Sequence, residues 1–488
     1  VEREREIRAF VPEEYWQIEA LLAKQNPPEG GEEDFRLRAT LEKMNGEKIN
    51  VADQENAAKI VADLEKATYK ISDVQEKQRR RTPQPPFTTS KLQQDSFNRL
   101  RFPASKTMRI AQQLYEGVDL GAQGSVGLIT YMRTDSVRVA DSAVEEVRAF
   151  IRENCGEKYL PKSANKYKSG KKAQEAHEAI RPTSVTYTPD AVKPFLDVNQ
   201  FKLYELIWRR FVASQMTPAV FLQTAVDIEA DIYGLRSRGS VMLFDGFLKV
   251  YQEARDNDEI LPKVEKGEVL DLIKLKPSQH FTKPPPRFTD ASLVKVLEEK
   301  GIGRPSTYAP TIQTVVDRGY VRRDGGSLVP CELGETVIDL LIEHFSKVVD
   351  EGFTAEMEEE FDRVEEGSLD WVQVVREFYE PYSAELGEAK ENMRAVRAEV
   401  EEMDEKCPDC GRPLVKKWGR GKKFISCSGF PDCKYARPIT SGVPCPEEGC
   451  EGELVERWSR RGAFFGCSRF PTCRHISKEL PKSDANAG

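Results

Sequence analysis

Eight of the ten cysteines in this chain stand in two spaced sets near its C-terminal end. The first reads Cys407-x₂-Cys410-x₁₆-Cys427-x₅-Cys433, the second Cys445-x₄-Cys450-x₁₆-Cys467-x₅-Cys473. The second pair repeats forty residues on, with Ser-Gly-Phe-Pro-Asp and Ser-Arg-Phe-Pro-Thr between the last two cysteines of each set. Two four-thiolate sets at knuckle spacing suit tetrahedral Zn²⁺. Each segment is too short to bury a self-sufficient core, so zinc binding and folding are expected to be one equilibrium. The spacing predicts one zinc ribbon over 403–440, a second over 441–478, and a disordered tail over 479–488. Trp418, Phe424, Trp458, Phe464 and Phe465 interleave with Lys416, Lys417, Lys422, Lys423, Arg460 and Arg461. Aromatics among cations suit base stacking and backbone neutralisation on single-stranded nucleic acid. The same aromatics also serve as candidates for the ribbons' own cores.

Composition bounds the rest. The length of 488 residues accommodates several cores, roughly three or four domains. No apolar run approaches the ~20 residues of a membrane-spanning helix, and no signal peptide is evident, so a cytoplasmic protein is expected. Clustered thiols in metal spacing fit a reducing compartment better than a disulfide framework. The net charge of −8 argues against a uniformly basic nucleic-acid binder but leaves local basic surfaces open.

Along the chain, 1–10 reads as the end of a helix, and 11–85 as the first half of a β domain. Within it, Tyr15 to Leu22, Phe35 to Leu41 and Tyr69 to Val74 are predicted strands, Asn26 to Gly31 a turn, and Asp53 to Ala67 a helix with Ala57, Ile60, Val61 and Leu64 on one face. Arg79-Arg-Arg-Thr-Pro-Gln-Pro-Pro86 reads as a linker. A mostly helical domain is expected over 86–217. It includes a helix over 106–116 with Met108, Leu114 and Tyr115 on its apolar stripe, and one capped by Asp141 with a box to Glu145. Lys162 to Lys172 is a lysine-rich loop, and Gln200 to Ser214 a strongly amphipathic helix. Strands at Phe221–Ala230, Gly239–Leu248 and Val269–Leu275 suggest that 218–282 completes the β domain. The acidic run Asp256 to Glu259 reads as a solvated loop rather than a metal site. A helical domain over 283–402 opens with two helices about a Gly-Ile-Gly-Arg-Pro turn, a helix-turn-helix pattern, and Trp371 to Glu405 reads as one long helix.

One stretch carries reactive chemistry: Gly124-Ser-Val-Gly-Leu-Ile-Thr-Tyr-Met-Arg-Thr-Asp-Ser136. Val126 to Thr130 reads as a buried strand, and alternation puts Ile129, Tyr131 and Arg133 on one face. A phenol that can form an ester and a guanidinium whose fork suits phosphate thus leave the strand side by side. The phenol's reference pKa of ~10 means it needs help, and no general base is evident nearby.

Leu128 to Ser136 resembles the active-site signature of the type IA DNA topoisomerases. Ala176-His-Glu-Ala-Ile-Arg-Pro-Thr183 is similar to the family's histidine motif, and Gly301 to Tyr308 with Asp317 to Val321 matches a third. Met132 and the zinc tail favour the bacterial type I branch over the type III relatives. The resemblance implies a multidomain α+β fold, a toroidal body of helical and β arch domains followed by two zinc ribbons. It implies transient single-strand cleavage through a 5′-phosphotyrosyl intermediate, strand passage and religation, relaxing negatively supercoiled DNA without ATP. Tyr131 would be the nucleophile, and Arg133 would bind the scissile or adjacent phosphate. His177 and Arg181 would hold the same backbone region, and Arg304, Ser306, Thr307, Arg318 and Tyr320 would contact the strand nearby. The role of Glu178 stays open. Mg²⁺ is implied, bound by acidic residues of an N-terminal Toprim domain. The chain begins at Val1 within a charged run and shows no Asp-x-Asp-x-Glu cluster, so a fragment lacking that domain, inactive alone, is expected. Partners implied are single-stranded and negatively supercoiled DNA in the nucleoid, and RNA polymerase through the tail, with a monomeric protein and no membrane. The competing reading is a non-enzymatic zinc-ribbon protein that binds single-stranded DNA. A rolling-circle nickase would need a His-x-His pair that His177, His280, His344 and His475 do not form; a tyrosine recombinase carries its tyrosine nearer the C-terminus.

Overall fold

The computed structural model describes residues 1–25, 36–168, 177–252, 260–393, 401–418, 423–459, 462–477 and 480. Helix α1 (Glu2–Ala9) leads to strands β1 (Glu14–Lys24), β2 (Arg36–Met44) and β3 (Glu47–Lys48), helix α2 (Gln54–Leu64) and strand β4 (Tyr69–Arg81). A helical excursion follows: α3 (Thr89–Asp95), α4 (Ala104–Glu116), the short pair β5 (Val118–Asp119) and β6 (Ser125–Val126), α5 (Asp141–Asn154), α6 (Pro189–Val192) and α7 (Val198–Ser214). The chain then returns as β7 (Ala219–Ala230), β8 (Tyr233–Phe244) and β9 (Val269–Phe281).

These strands form one antiparallel sheet in the order β1-β9-β4-β7-β8-β2-β3. Because β1 also pairs with β2, six strands close on themselves, which removes the exposed edges of an open sheet. Period-two side chains fill the interior: Ile18, Ala20 and Leu22 from β1, and Leu37, Ala39 and Leu41 from β2. Helix α2 packs Ala57, Ile60 and Leu64 into the same core. Asp53 caps it by accepting from the Asn56 backbone N–H at 2.8 Å. Chain contacts divide the protein into two compact units: Glu6–Leu92 with Arg109–Pro285, and Val1–Arg5 with Gln93–Met108 and Pro286–Gly488.

In the second unit, α8 (Asp290–Glu299) and α9 (Tyr308–Asp317) are followed by the hairpin β10 (Val321–Asp324) and β11 (Ser327–Pro330), then α10 (Glu332–His344), α11 (Glu351–Glu365) and α12 (Trp371–Asn392). Val294, Tyr308, Ile312 and Leu328 form the core of the helix-turn-helix and its hairpin. The first ribbon has β12 (Glu401–Lys406), β13 (Pro413–Trp418), β14 (Lys423–Cys427) and β15 (Ala436–Arg437); the second has β16 (Leu454–Ser459), β17 (Gly462–Cys467) and β18 (Ile476–Ser477). Among the described residues, no helix is long and apolar enough to cross a membrane.

Several sequence expectations change. Arg79 to Arg81 are no linker: they pair with Ala219 to Phe221 and extend β4, because largely solvent-facing arginine side chains leave the backbone free to pair with β7. The helix expected through Glu405 ends at Asn392, and Glu401 to Lys406 instead form the first ribbon strand, paired with β13. Asp141 is not the cap of α5. That position belongs to Ala140, whose N–H donates to the Glu178 carboxylate at 2.8 Å. Tyr115 leaves the apolar stripe of α4, which buries Ile110, Ala111 and Leu114 while Tyr115 stays 40% exposed. The turn at 26–31, the acidic run 256–259 and residues 169–172 of the lysine-rich loop lie outside the described residues.

Candidate active site and metal centres

The reactive stretch is not a strand beyond Val126. Its backbone is fixed instead by partners from both sides: the Leu128 N–H donates to the Leu114 carbonyl at 2.8 Å, and the Thr130 N–H to the Arg181 carbonyl at 2.9 Å. A bridge joins Ile129 to Pro182, and the Thr183 N–H returns to the Leu128 carbonyl at 3.0 Å. Thus the segment carrying His177 and Arg181 runs alongside the segment carrying Tyr131.

Beyond Thr130 the side chains alternate. Met132, Thr134 and Ser136 are buried, and Tyr131, Arg133 and Asp135 are exposed. Ile129 does not share the exposed face; it is buried beside Leu128. The inward residues root the loop through Thr89, itself fully buried. Its Oγ1 donates to the Met132 carbonyl at 2.7 Å and accepts the Thr134 N–H at 2.8 Å, gripping the backbone on either side of Arg133. The Ser136 N–H donates to Thr134 Oγ1 at 3.0 Å, which continues the anchoring. Thr89→Val keeps the shape but orphans a buried N–H. We expect it to destabilise the protein by about 1–3 kcal/mol in denaturant titrations, and Thr89→Ser to recover most of that loss.

Tyr131 is 46% exposed, and among the described residues its hydroxyl has no hydrogen-bond partner. The Arg133 guanidinium is likewise without a protein partner among the described residues. His177 is half-buried. Arg181 is not open: only 11% of its side chain is exposed, and it donates to Glu178 at 2.8 Å and to the Pro182 carbonyl at 2.9 Å. Glu178 therefore has a definite structural place, tying Arg181 to the N-terminus of α5, where a carboxylate also favours the helix dipole.

In the other unit, Arg304 binds Asp362 with two donors at 3.2 and 2.7 Å and the Gly303 carbonyl at 2.8 Å, so its fork faces the protein. Ser306, Thr307 and Arg318 are exposed and Tyr320 is half-buried. The Thr307 hydroxyl accepts the Arg304 N–H at 2.8 Å and shapes the turn into α9.

The cysteines converge as two clusters, with the four Sγ atoms of each within 4.8 Å of one another. Cys407–Cys433 and Cys410–Cys427 approach to 3.7 and 3.3 Å, and Cys445–Cys473 and Cys450–Cys467 to 3.8 and 3.5 Å. A regular tetrahedron with Zn–S of about 2.3 Å requires S···S of about 3.8 Å, so both sets fit zinc. Backbone N–H groups of Gly429 and Arg469 donate to Cys427 and Cys467 at 3.3 and 3.4 Å. The Arg412 backbone N–H holds the Cys410 thiol down at about 7 and that of Gly452 lowers Cys450, while burial raises Cys427, Cys445 and Cys467. Gly452 is required here, since a Cβ would lie 2.6 Å from Cys467 Sγ.

A family model described as DNA topoisomerase matches residues 1–376. The structure is similar to the full-length topoisomerase I of Thermotoga maritima, with a TM-score of 0.71 and 35% identity over 95% of this chain and 70% of that chain. The chain belongs to the bacterial type IA DNA topoisomerases. A topoisomerase DNA-binding C4 zinc-finger model matches 404–442 and 442–482, the two ribbons of this type IA topoisomerase. It is thus a DNA-binding isomerase with two zinc-ribbon sites.

Sequence reasoning about this topoisomerase missed Thr89, Tyr115 and two ribbon phenylalanines. Phe430 and Phe470 are 59% and 57% exposed, with Lys417 Nζ at 4.7 Å from the first ring centroid and Arg457 Cζ at 5.5 Å from the second. Their repeated place between the last two cysteines was a signal that could have singled them out. Phe424, Phe464 and Phe465 are partly buried, and the side chains of Trp418, Lys423 and Trp458, with residues Lys422, Arg460 and Arg461, lie outside the described set.

Proposed function

We propose that Tyr131 is the nucleophile of a reversible single-strand break in negatively supercoiled DNA. The observation that carries this is the exposed Tyr131–Arg133 pair on a loop rooted by buried alternate residues. The phenolic oxygen attacks phosphorus, the bond to the 3′-oxygen breaks, and the 5′-phosphate passes to the tyrosine. The phenolic proton leaves the tyrosine and the departing oxygen gains one, ending as a 3′-hydroxyl. Religation reverses each change, so the phosphodiester energy is retained and no ATP is consumed. Arg133 offers donors to the oxygens on which charge develops. His177 adds a polar group from the neighbouring segment.

Mg²⁺ belongs to this proposal, but the described residues do not fit it. Their metal-capable clusters of three or more ligands are the two four-cysteine sets, soft donors that suit zinc rather than a hard, oxygen-seeking cation. Among the described residues none is therefore assigned to Mg²⁺, which the resemblance places on the acidic residues of a Toprim domain. Relaxation of a negatively supercoiled plasmid, with that domain supplied, tests the activity; unchanged linking number after full incubation contradicts it.

For the tail we propose single-stranded DNA as the preferred ligand, supported by the exposed Phe430 and Phe470 with their cationic neighbours. A stacked base contributes ~1–3 kcal/mol, so Phe430→Ala with Phe470→Ala should weaken oligonucleotide affinity by about tenfold or more. Wild-type binding should favour single strands over duplex and fall steeply with salt. Fluorescence anisotropy checks both; equal affinity for the two forms, or a flat salt response, counts against the proposal.

A further inference from the structure

From the packing around Tyr131 we infer that Tyr115 is a positioning residue for the nucleophile, acting through its ring. This rests on Tyr131 being the nucleophile. The two rings meet edge to face, with centroids 5.3 Å apart and planes at 66°. Such a pair restricts rotation beyond what burial alone achieves. The restriction matters here because nothing polar does the same job: among the described residues the Tyr131 hydroxyl has no partner, and 46% of the residue is exposed. A half-exposed tyrosine with a free hydroxyl otherwise samples several rotamers.

Tyr115 itself is well anchored. It lies in the last turn of α4, where the carbonyl of the preceding residue, Leu114, receives the Leu128 N–H at 2.8 Å. Its own carbonyl lies so near Gly127 that a Cβ there would stand 2.7 Å away. The end of the helix and the segment leading to Tyr131 are therefore one clamped joint, and the Tyr115 ring projects from it toward the nucleophile. The position is 40% exposed although a polar side chain would be stable there, so packing of the core does not account for an aromatic. Like Tyr131, the Tyr115 hydroxyl has no hydrogen-bond partner among the described residues, which leaves the ring as the functional part.

The test is single-turnover cleavage of a single-stranded oligonucleotide by the full chain with Mg²⁺ and the Toprim domain present, read as covalent adduct against time. Tyr115→Ala should slow adduct formation by about tenfold or more, with oligonucleotide Kd and thermal midpoint close to wild type. Tyr115→Phe should restore the rate. Wild-type speed in Tyr115→Ala overturns the inference, as does a Tyr115→Phe variant as slow as Tyr115→Ala. A loss confined to Kd also overturns it, because the ring would then bind DNA rather than aim the phenol. Absence of adduct in the wild type would strike the nucleophile reading itself, a separate outcome from any difference between the Tyr115 variants.

Discussion

Tyr131→Phe is expected to abolish covalent adduct formation and plasmid relaxation while leaving the fold and DNA binding intact. The substitution removes one oxygen, and that oxygen has no hydrogen-bond partner among the described residues. It retains the ring and its contact with Tyr115. At a position 46% exposed, such a change should alter stability by no more than about 0.5 kcal/mol. Catalysis, by contrast, loses its attacking atom, and removal of a covalent nucleophile costs on the order of 10⁶ in turnover. Arg133→Lys is a milder counterpart: the charge stays, but the planar fork is lost. Gel relaxation and circular dichroism on the same preparations separate loss of chemistry from loss of structure. A relaxing Tyr131→Phe protein would remove this residue from the reaction.

The second large effect is on the ribbons. Structural zinc in small domains contributes apparent binding energies of about 10–16 kcal/mol near neutral pH, far more than a core of this size supplies. Among the described residues, the buried apolar side chains of the first ribbon amount to Leu414, Val415 and Ile425, beside Cys407 and Cys427. Cys427→Ser should therefore lower bound zinc from two ions to one per chain and unfold the first ribbon alone. Chelation should unfold both, and acidification should release the metal because each thiolate must take a proton. Elemental analysis with limited proteolysis checks this. A ribbon that resists protease without zinc would show that its core suffices.

How far these features were legible in the sequence depends on which interactions define them. The zinc clusters were readable because ligand spacing reports directly on geometry. The strands of the closed sheet and the faces of α2 and α7 were readable through periodicity, as Ala57, Ile60 and Leu64 illustrate, except that β8 runs over Tyr233–Phe244 rather than Gly239–Leu248. The segment before Tyr131 misled because its apolar run imitates a strand, whereas its N–H groups go to Leu114 and Arg181, partners remote in sequence. The place of Glu178 was illegible because, besides its local bond to Arg181, it accepts from the backbone of Ala140, remote in sequence. Thr89 carries no motif of its own, and only tertiary structure reveals that its hydroxyl holds the loop around Arg133.

The central claim is chemical, namely that Tyr131 carries the DNA. It is tested most directly by trapping the adduct with an oligonucleotide, with Mg²⁺ and the Toprim domain present, digesting it, and locating the nucleotide by mass spectrometry. The expected result is a nucleotide joined through its 5′-phosphate to Tyr131, with a free 3′-hydroxyl on the released strand. Attachment to another residue, or a linkage through a 3′-phosphate, would contradict it.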